Sequence, residues 1–390
     1  MASIKNRKSR RPKQGLAFPS CVLRSPELTI GNSFVLMRSL RKVWKSRVAL
    51  SKIASIQILR GVAATLVAGY HLQQAAVAEG GNPGIFRIFS GGEIGVDIFF
   101  VISGFIIFFV ASNNPELSRK AFISARFWRI FPPYWTILTL YVLAALALAL
   151  ALGDQSRLPD AQSLLVSYLL LPYPDHVIII AWTLSLELLF YAVFALTFFG
   201  AGGPQRLILV MVVWVLVSQI FLHTEGAGPQ WLAIPFHSAV LEFLFGVLIA
   251  RYFLKYPETF HRFRLPALLL GGIGVCLYSV SGGFHAGAFG REIAAGIPAA
   301  VLVIGSLGFT ISNVKVLETW GESSYILYLL HLLYFSIIGK IVELVTGQSV
   351  YHSQVWMVSL LASVIAISYA ATLWIERPYQ AWYRRFSKGR

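Results

Sequence analysis

Ten stretches of this chain are apolar enough and long enough to cross a bilayer, at about residues 54–76, 92–111, 130–152, 178–199, 207–222, 236–253, 266–281, 293–311, 324–345 and 355–375. A helix needs roughly 20 apolar residues to cross about 30 Å of hydrocarbon. No water is present there to satisfy exposed N–H and C=O groups, so a spanning segment must close its hydrogen bonds within itself. The expected fold class is therefore all-α, a polytopic integral membrane protein of about ten transmembrane helices. Segment 163–171 is too short to span and is expected at the interface before the fourth helix. Composition agrees, since 56% of the 390 residues are hydrophobic and only 13% are charged, against about 25% charged in a soluble domain.

The formal net charge of +16 does not point to nucleic acid. Thirteen of the 33 Lys and Arg lie in residues 1–52, opposed there only by Glu27. That stretch reads as a basic, disordered tail attracted to anionic lipid. It lacks a signal-peptide core, so no cleavage is expected, and Met37 marks an alternative, shorter start. Three parts follow: the tail at 1–52, one transmembrane domain at 53–380 and a basic tail at 381–390. The basic N-terminus is expected in the cytoplasm, and an even number of spans returns the C-terminus there. The loops agree with this orientation. Arg119, Lys120, Arg126, Arg129, Arg206, Arg251, Lys255, Arg262, Arg264 and Lys315 fall inside, and only Arg87, Arg157 and Arg291 fall outside. Cys21 and Cys276 suggest no disulfide framework.

Against this apolar background the first spanning segment carries Arg60 and His71. Insertion scales penalise an ionisable side chain in a membrane helix by about 2.5 to 3.5 kcal/mol. Eleven residues of helix make roughly three turns plus 20°, so the two side chains point the same way, about 16 Å apart along the axis. A cation near one membrane surface is thus aligned with a titratable imidazole deeper in.

Five further polar features recur along the chain. Gly95-Val96-Asp97-Ile98-Phe99-Phe100-Val101-Ile102-Ser103-Gly104-Phe105 opens the second segment. Arg126-Phe127-Trp128-Arg129-Ile130-Phe131-Pro132-Pro133 precedes the third. Trp182-Thr183-Leu184-Ser185-Leu186-Glu187-Leu188-Leu189-Phe190-Tyr191 puts a carboxylate near mid-membrane. Ser324-Tyr325-Ile326-Leu327-Tyr328-Leu329-Leu330-His331 lies in the ninth segment, and Glu376-Arg377-Pro378 follows the tenth. Each has a reading in packing alone. Arg60 can snorkel to headgroups, and His71 can be a bonded packing histidine. Arg126 and Arg129 can be ordinary positive-inside residues. Asp97 and Glu187 can be buried partners of arginines, His331 and Glu376 can be structural, and Gly95 and Gly104 can serve helix packing. His223, His237, His261 and His285 lack ligand spacing, so no metal site is expected.

Taken together and in this order, the features resemble the membrane-bound acyltransferase family 3. The resemblance rests on Arg60 and His71 as Arg-x10-His, on the Gly95–Phe105 stretch, on Arg126-x-x-Arg129-Ile-x-Pro and on Trp182–Tyr191. The Tyr325–His331 and Glu376–Pro378 similarities carry it to about residue 380. Thr183 stands where the family usually shows Ser, and Leu186 where Val is common. The lead Ser55–Gly61 is most similar to the bacterial exopolysaccharide O-acetyltransferase branch.

The resemblance implies an enzyme of a bacterial cytoplasmic (inner) membrane. It would move an acyl group, most simply acetyl, from cytoplasmic acyl-CoA to a hydroxyl of a surface polysaccharide, lipid-linked glycan or glycolipid. Acyl-CoA would be a co-substrate, with no cofactor bound permanently. Partners would be the glycan acceptor, membrane lipids and polysaccharide assembly proteins. Guanidinium suits the phosphates of coenzyme A, which assigns donor binding to Arg126 and Arg129, with Arg60 as a third contact. His71 would carry the chemistry, either as general base toward the acceptor hydroxyl or as a nucleophile forming an acyl-histidine. Asp97 or Glu187 would fix its tautomer. Acetyl and succinyl are equally compatible with the residues. The competing class is a transporter or flippase for a lipid-linked oligosaccharide, which would also use buried charges. A non-catalytic assembly partner on the same scaffold is the third reading.

Overall fold

The computed structural model describes residues 30–153, 155, 158–223, 229–283, 290–309, 311 and 314–388. Cys21, Arg157 and His285 lie outside them, as does most of the expected basic tail. Met1–Arg47 and Val48–Arg390 are separate compact units. Of the first, only helical backbone from Ile30 is described, and everything below concerns the second.

The described residues are helical, with no strand among them. The helices are α1 (Ile30–Ala78), α2 (Ile94–Ser112), α3 (Arg119–Leu152), α4 (Ala161–Leu169), α5 (Trp182–Thr197), α6 (Gly203–His223), α7 (Val240–Lys255), α8 (Pro257–Arg262), α9 (Arg264–Ser281), α10 (Ile297–Leu307), α11 (Lys315–Glu322), α12 (Ser324–Thr346), α13 (Gln354–Ala371) and α14 (Arg377–Lys388). Five-residue π-helical turns precede α10 (Glu292–Gly296) and α14 (Thr372–Glu376).

Each of the ten apolar segments falls on a helix, yet seven described helices are both long and apolar enough to cross a membrane. The other three segments differ for visible reasons. In α1 the apolar run is interrupted by Gln57, Arg60 and His71. Helix α7 has 16 residues, about 24 Å of helix, less than the hydrocarbon thickness. Glu292–Leu307 is shorter than a full span as well. Segment 163–171 corresponds to α4, a nine-residue helix capped by Asp160, whose side chain accepts from the Ser163 N–H.

Helix α2 is the hub. It lies along α7 and also meets α5, α9 and α10, and a Cβ on its Gly95 would stand 2.2 Å from the Ala63 carbonyl oxygen of α1. Two glycines set the closest approach. A Cβ on Gly104 would stand 2.2 Å from the Phe243 carbonyl oxygen, and one on Gly246 2.1 Å from that of Val101. Only hydrogen side chains let the two backbones touch, the usual device for helices that meet in lipid. Around the crossing, the rings of Phe100 and Phe190 each sit 4.6 Å from that of Phe243, so α2, α5 and α7 share one aromatic core.

Candidate active site

A cavity of about 310 Å³ opens between α1, α2, α3, α5 and α12. Its polar wall consists of Gln57 and Arg60 on α1, Ser103 on α2, Arg126 and Arg129 on α3, and Glu187 and Tyr191 on α5. Tyr325 and Tyr328 on α12 close another side. Apart from Thr183 and Ser324, phenylalanines, isoleucines, leucines and valines line the rest, a mostly apolar chamber with a few convergent charges of the kind small ligands use.

Helix geometry explains the arginine pair. Residues three apart share a helical face, so both Arg126 and Arg129 turn toward the cavity. The Arg126 guanidinium lies 5.7 Å from the ring centroids of Phe122 and of Tyr191, held between two aromatic faces. Its Nε is buried and has no hydrogen-bond partner among the described residues. Arg60 donates from Nη1 to Gln57 Oε1 at 3.2 Å. None of the three arginines forms an ion pair among the described residues. The carboxylates of Glu187 and Glu376 act on Arg60 without forming an ion pair with it among the described residues, and three guanidinium groups outnumber these two carboxylates, so this wall keeps a net positive charge.

Pro132 and Pro133 lie inside α3, just past the arginines. A proline has no N–H to give to the carbonyl four residues back, so the Trp128 carbonyl oxygen is left free by Pro132. Tyr379 on α14 donates its hydroxyl to that oxygen at 3.1 Å. The end of the chain therefore holds the turn between Arg126 and Arg129 in place.

Glu187 accepts from Ser103 Oγ at 2.5 Å and from Tyr191 OH at 2.6 Å, both on Oε1. Thr183 keeps the hydroxyl that Ser would have offered. It donates to the Ile180 carbonyl oxygen at 2.8 Å and meets Tyr328 OH at 2.9 Å. Tyr325 donates to the Ile130 carbonyl oxygen at 2.9 Å.

The structure thus brings Arg60, Arg126, Arg129 and Glu187 to one chamber. His71 and Asp97 are not on its wall. His71 lies three turns further along α1, and its ring centroid is 5.2 Å from that of His331 on α12. Asp97 is buried and pairs with Arg291 at 3.0 Å. Glu93 and Glu242 also act on Arg291, and Tyr278 donates to Glu93 at 3.3 Å. This forms a second charged cluster, centred on an arginine that sequence alone made a simple outer-loop cation.

Sequence reasoning also left Glu376 as a structural residue. The structure puts its carboxylate in the field of Arg60 and Arg129, and Oε2 is buried without a hydrogen-bond partner among the described residues. Arg377 turns the other way, donating from Nε and Nη2 to Glu322 Oε2 at 3.0 and 2.8 Å and from Nη2 to Thr319 Oγ1 at 2.7 Å. The adjacency of a carboxylate to a guanidinium in Glu376-Arg377-Pro378 was the available signal, but adjacency alone does not show that the two side chains turn to different partners. Among the described residues no group of three or more His, Cys, Asp or Glu could hold a metal ion.

The family model described as an acyltransferase domain matches residues 53–373, which takes in every cavity residue named above. The chain belongs to acyltransferase family 3. The exopolysaccharide production protein ExoZ of Rhizobium meliloti (strain 1021) is 31% identical over 312 residues, covering 74% of this chain and 90% of the relative. No solved structure matches. Family membership and the apolar helices together make the protein a multi-pass membrane acyltransferase.

Proposed function

We propose that the protein transfers an acetyl group from acetyl-CoA to a hydroxyl of an exopolysaccharide or its lipid-linked precursor, at the cytoplasmic membrane of a bacterium. The observation that carries this reading is the unpaired trio Arg60, Arg126 and Arg129 on one cavity wall. Coenzyme A is a polyphosphate, and guanidinium is the side chain suited to hold phosphate at two points. The acceptor class is supported by the name of the relative, an exopolysaccharide production protein.

The remaining geometry supports a division of labour. Along α1, Arg60 and His71 are separated by about 16 Å, the span of an extended arm between anchored phosphates and a reacting thioester. His71 takes the proton of the acceptor hydroxyl. The hydroxyl oxygen attacks the thioester carbonyl, the C–S bond breaks and the departing thiolate takes the proton from His71. The products are an O-acetyl ester and free coenzyme A thiol. With the N-terminus inside, as the basic loops favour, the arginines face the donor's compartment and His71 lies toward the opposite side.

The test is the acetyl content of surface polysaccharide in a deletion strain complemented with wild type or with His71→Ala at equal membrane abundance. Restoration by wild type alone supports the reading. Equal restoration by both removes His71 from the chemistry, and no difference between the deletion and wild type removes polysaccharide acetylation.

A further inference from the structure

Helix α12 carries a second histidine against the proposed base. His331 is fully buried. Its Nδ1 stands 3.1 Å from the Leu327 carbonyl oxygen. A carbonyl can only accept, so Nδ1 carries the proton and Nε2 is left as a bare lone pair. That Nε2 has no hydrogen-bond partner among the described residues. A buried acceptor left unmatched loses its hydration with nothing in return, and an unmatched polar group in a packed interior asks for a reason.

The surroundings narrow that reason. The ring of His331 meets those of Tyr328 at 6.0 Å and Phe335 at 5.9 Å. The Tyr328 hydroxyl is already engaged with Thr183 and the Ile180 carbonyl. The closest ring is His71, 5.2 Å between centroids and inclined by 30°. Both carboxylates that sequence offered as partners for His71 are committed elsewhere, Asp97 to Arg291 and Glu187 to Ser103 and Tyr191. What faces His71 is therefore an imidazole with its tautomer already set.

We propose that His331 is the positioning residue of His71. In the reacting complex, Nε2 of His331 accepts the N–H on one nitrogen of His71. This leaves the other His71 nitrogen as the lone pair that meets the acceptor hydroxyl. Hydrogen bonds of this kind often close only when substrates are bound. The logic is that of a base held by a third group, with a neutral imidazole in the place a carboxylate usually takes. No proton leaves His331. The hydroxyl proton moves to His71 and then to the thiolate, while His331 keeps Nδ1–H throughout and only accepts. This inference rests on the acetyl-transfer reading above.

Three substitutions separate positioning from packing. His331→Gln can place its side-chain oxygen near the Nε2 position. His331→Asn reaches only the Nδ1 position and so keeps a polar partner for Leu327. His331→Leu keeps bulk alone. Each is expressed in a deletion strain, and its membrane vesicles are given radiolabelled acetyl-CoA with the endogenous glycan as acceptor. At matched abundance, Leu and Asn should lower kcat on the order of 10²-fold, the low end of what a positioned acid–base group contributes. Gln should retain activity within about 10-fold of wild type, and KM for acetyl-CoA should stay within about twofold in all three, since the donor arginines are untouched. Asn equal to or better than Gln would overturn the proposal in favour of the Leu327 bond, and Leu equal to Gln would reduce His331 to packing. Vesicles with wild-type protein that neither release thiol nor incorporate label would instead overturn the acetyl-transfer reading itself.

Discussion

Tyr191 donates its hydroxyl to Glu187 at 2.6 Å from one turn along the same helix. Ser103 reaches the same oxygen from α2 at 2.5 Å, so one carboxylate atom ties α5 to α2 on the wall that Arg60, Arg126 and Arg129 share. Gln can keep both bonds through its amide oxygen but removes the charge that acts on Arg60. Glu187→Gln is therefore expected to keep membrane abundance and to lower turnover by about tenfold, one transition-state interaction's worth. Glu187→Leu strands two donors at a cost of about 1–3 kcal/mol each, and its abundance should fall. A Gln variant with wild-type turnover would reduce Glu187 to a tether.

The arginine pair should act through donor affinity. A hydrogen bond to a charged group contributes about 1.5–3 kcal/mol, which is roughly 10- to 100-fold in an equilibrium constant. Arg126→Ala and Arg129→Ala should raise KM for acetyl-CoA by that factor. Lys should recover only part of it, because it offers a point charge rather than a planar fork. Initial-rate titration of acetyl-CoA reads the effect, and an unchanged KM in both Ala variants would exclude phosphate contact.

Tyr379 offers a test far from the cavity. Its hydroxyl satisfies the Trp128 carbonyl that Pro132 leaves free. Tyr379→Phe should destabilise the protein by about 1 kcal/mol and loosen the turn carrying Arg126 and Arg129. The expected outcome is a lower thermal midpoint together with a raised KM for acetyl-CoA. A lower midpoint with unchanged KM would confine Tyr379 to stability.

His176 lies between α4 and α5, outside the spanning helices, and its Nε2 is 3.0 Å from Ser185 Oγ. Burial holds its pKa down at about 4, against an ordinary 6.5. Between those values the unfolded chain binds a proton that the folded protein does not, so stability falls as pH falls. The contribution is intact above about pH 6.5 and is lost progressively toward about pH 4. Thermal midpoints across that window should decline in wild type and decline less in His176→Gln. Parallel curves would assign the pH dependence to other groups.

Sequence alone determined the helical character of the chain, because long apolar runs leave the backbone no other way to bond itself in lipid. It also determined the family, through short motifs whose spacing survives in one chain. That Arg126 and Arg129 share a face follows from three residues of helix, and both do reach one cavity. Local periodicity could not show which distant side chains meet. Asp97 finds Arg291 across 194 positions, His71 finds His331, and Ser103 joins Glu187 across 84. Nor did hydropathy separate full spans from α7, a helix short of the bilayer's thickness that packs along α2 through Gly104 and Gly246. These outcomes depend on how close the helices approach and how each is rotated. Glycines at the crossings set how close α2 and α7 approach, and a periodicity of 3.6 residues carries no information about which distant helix a face will meet.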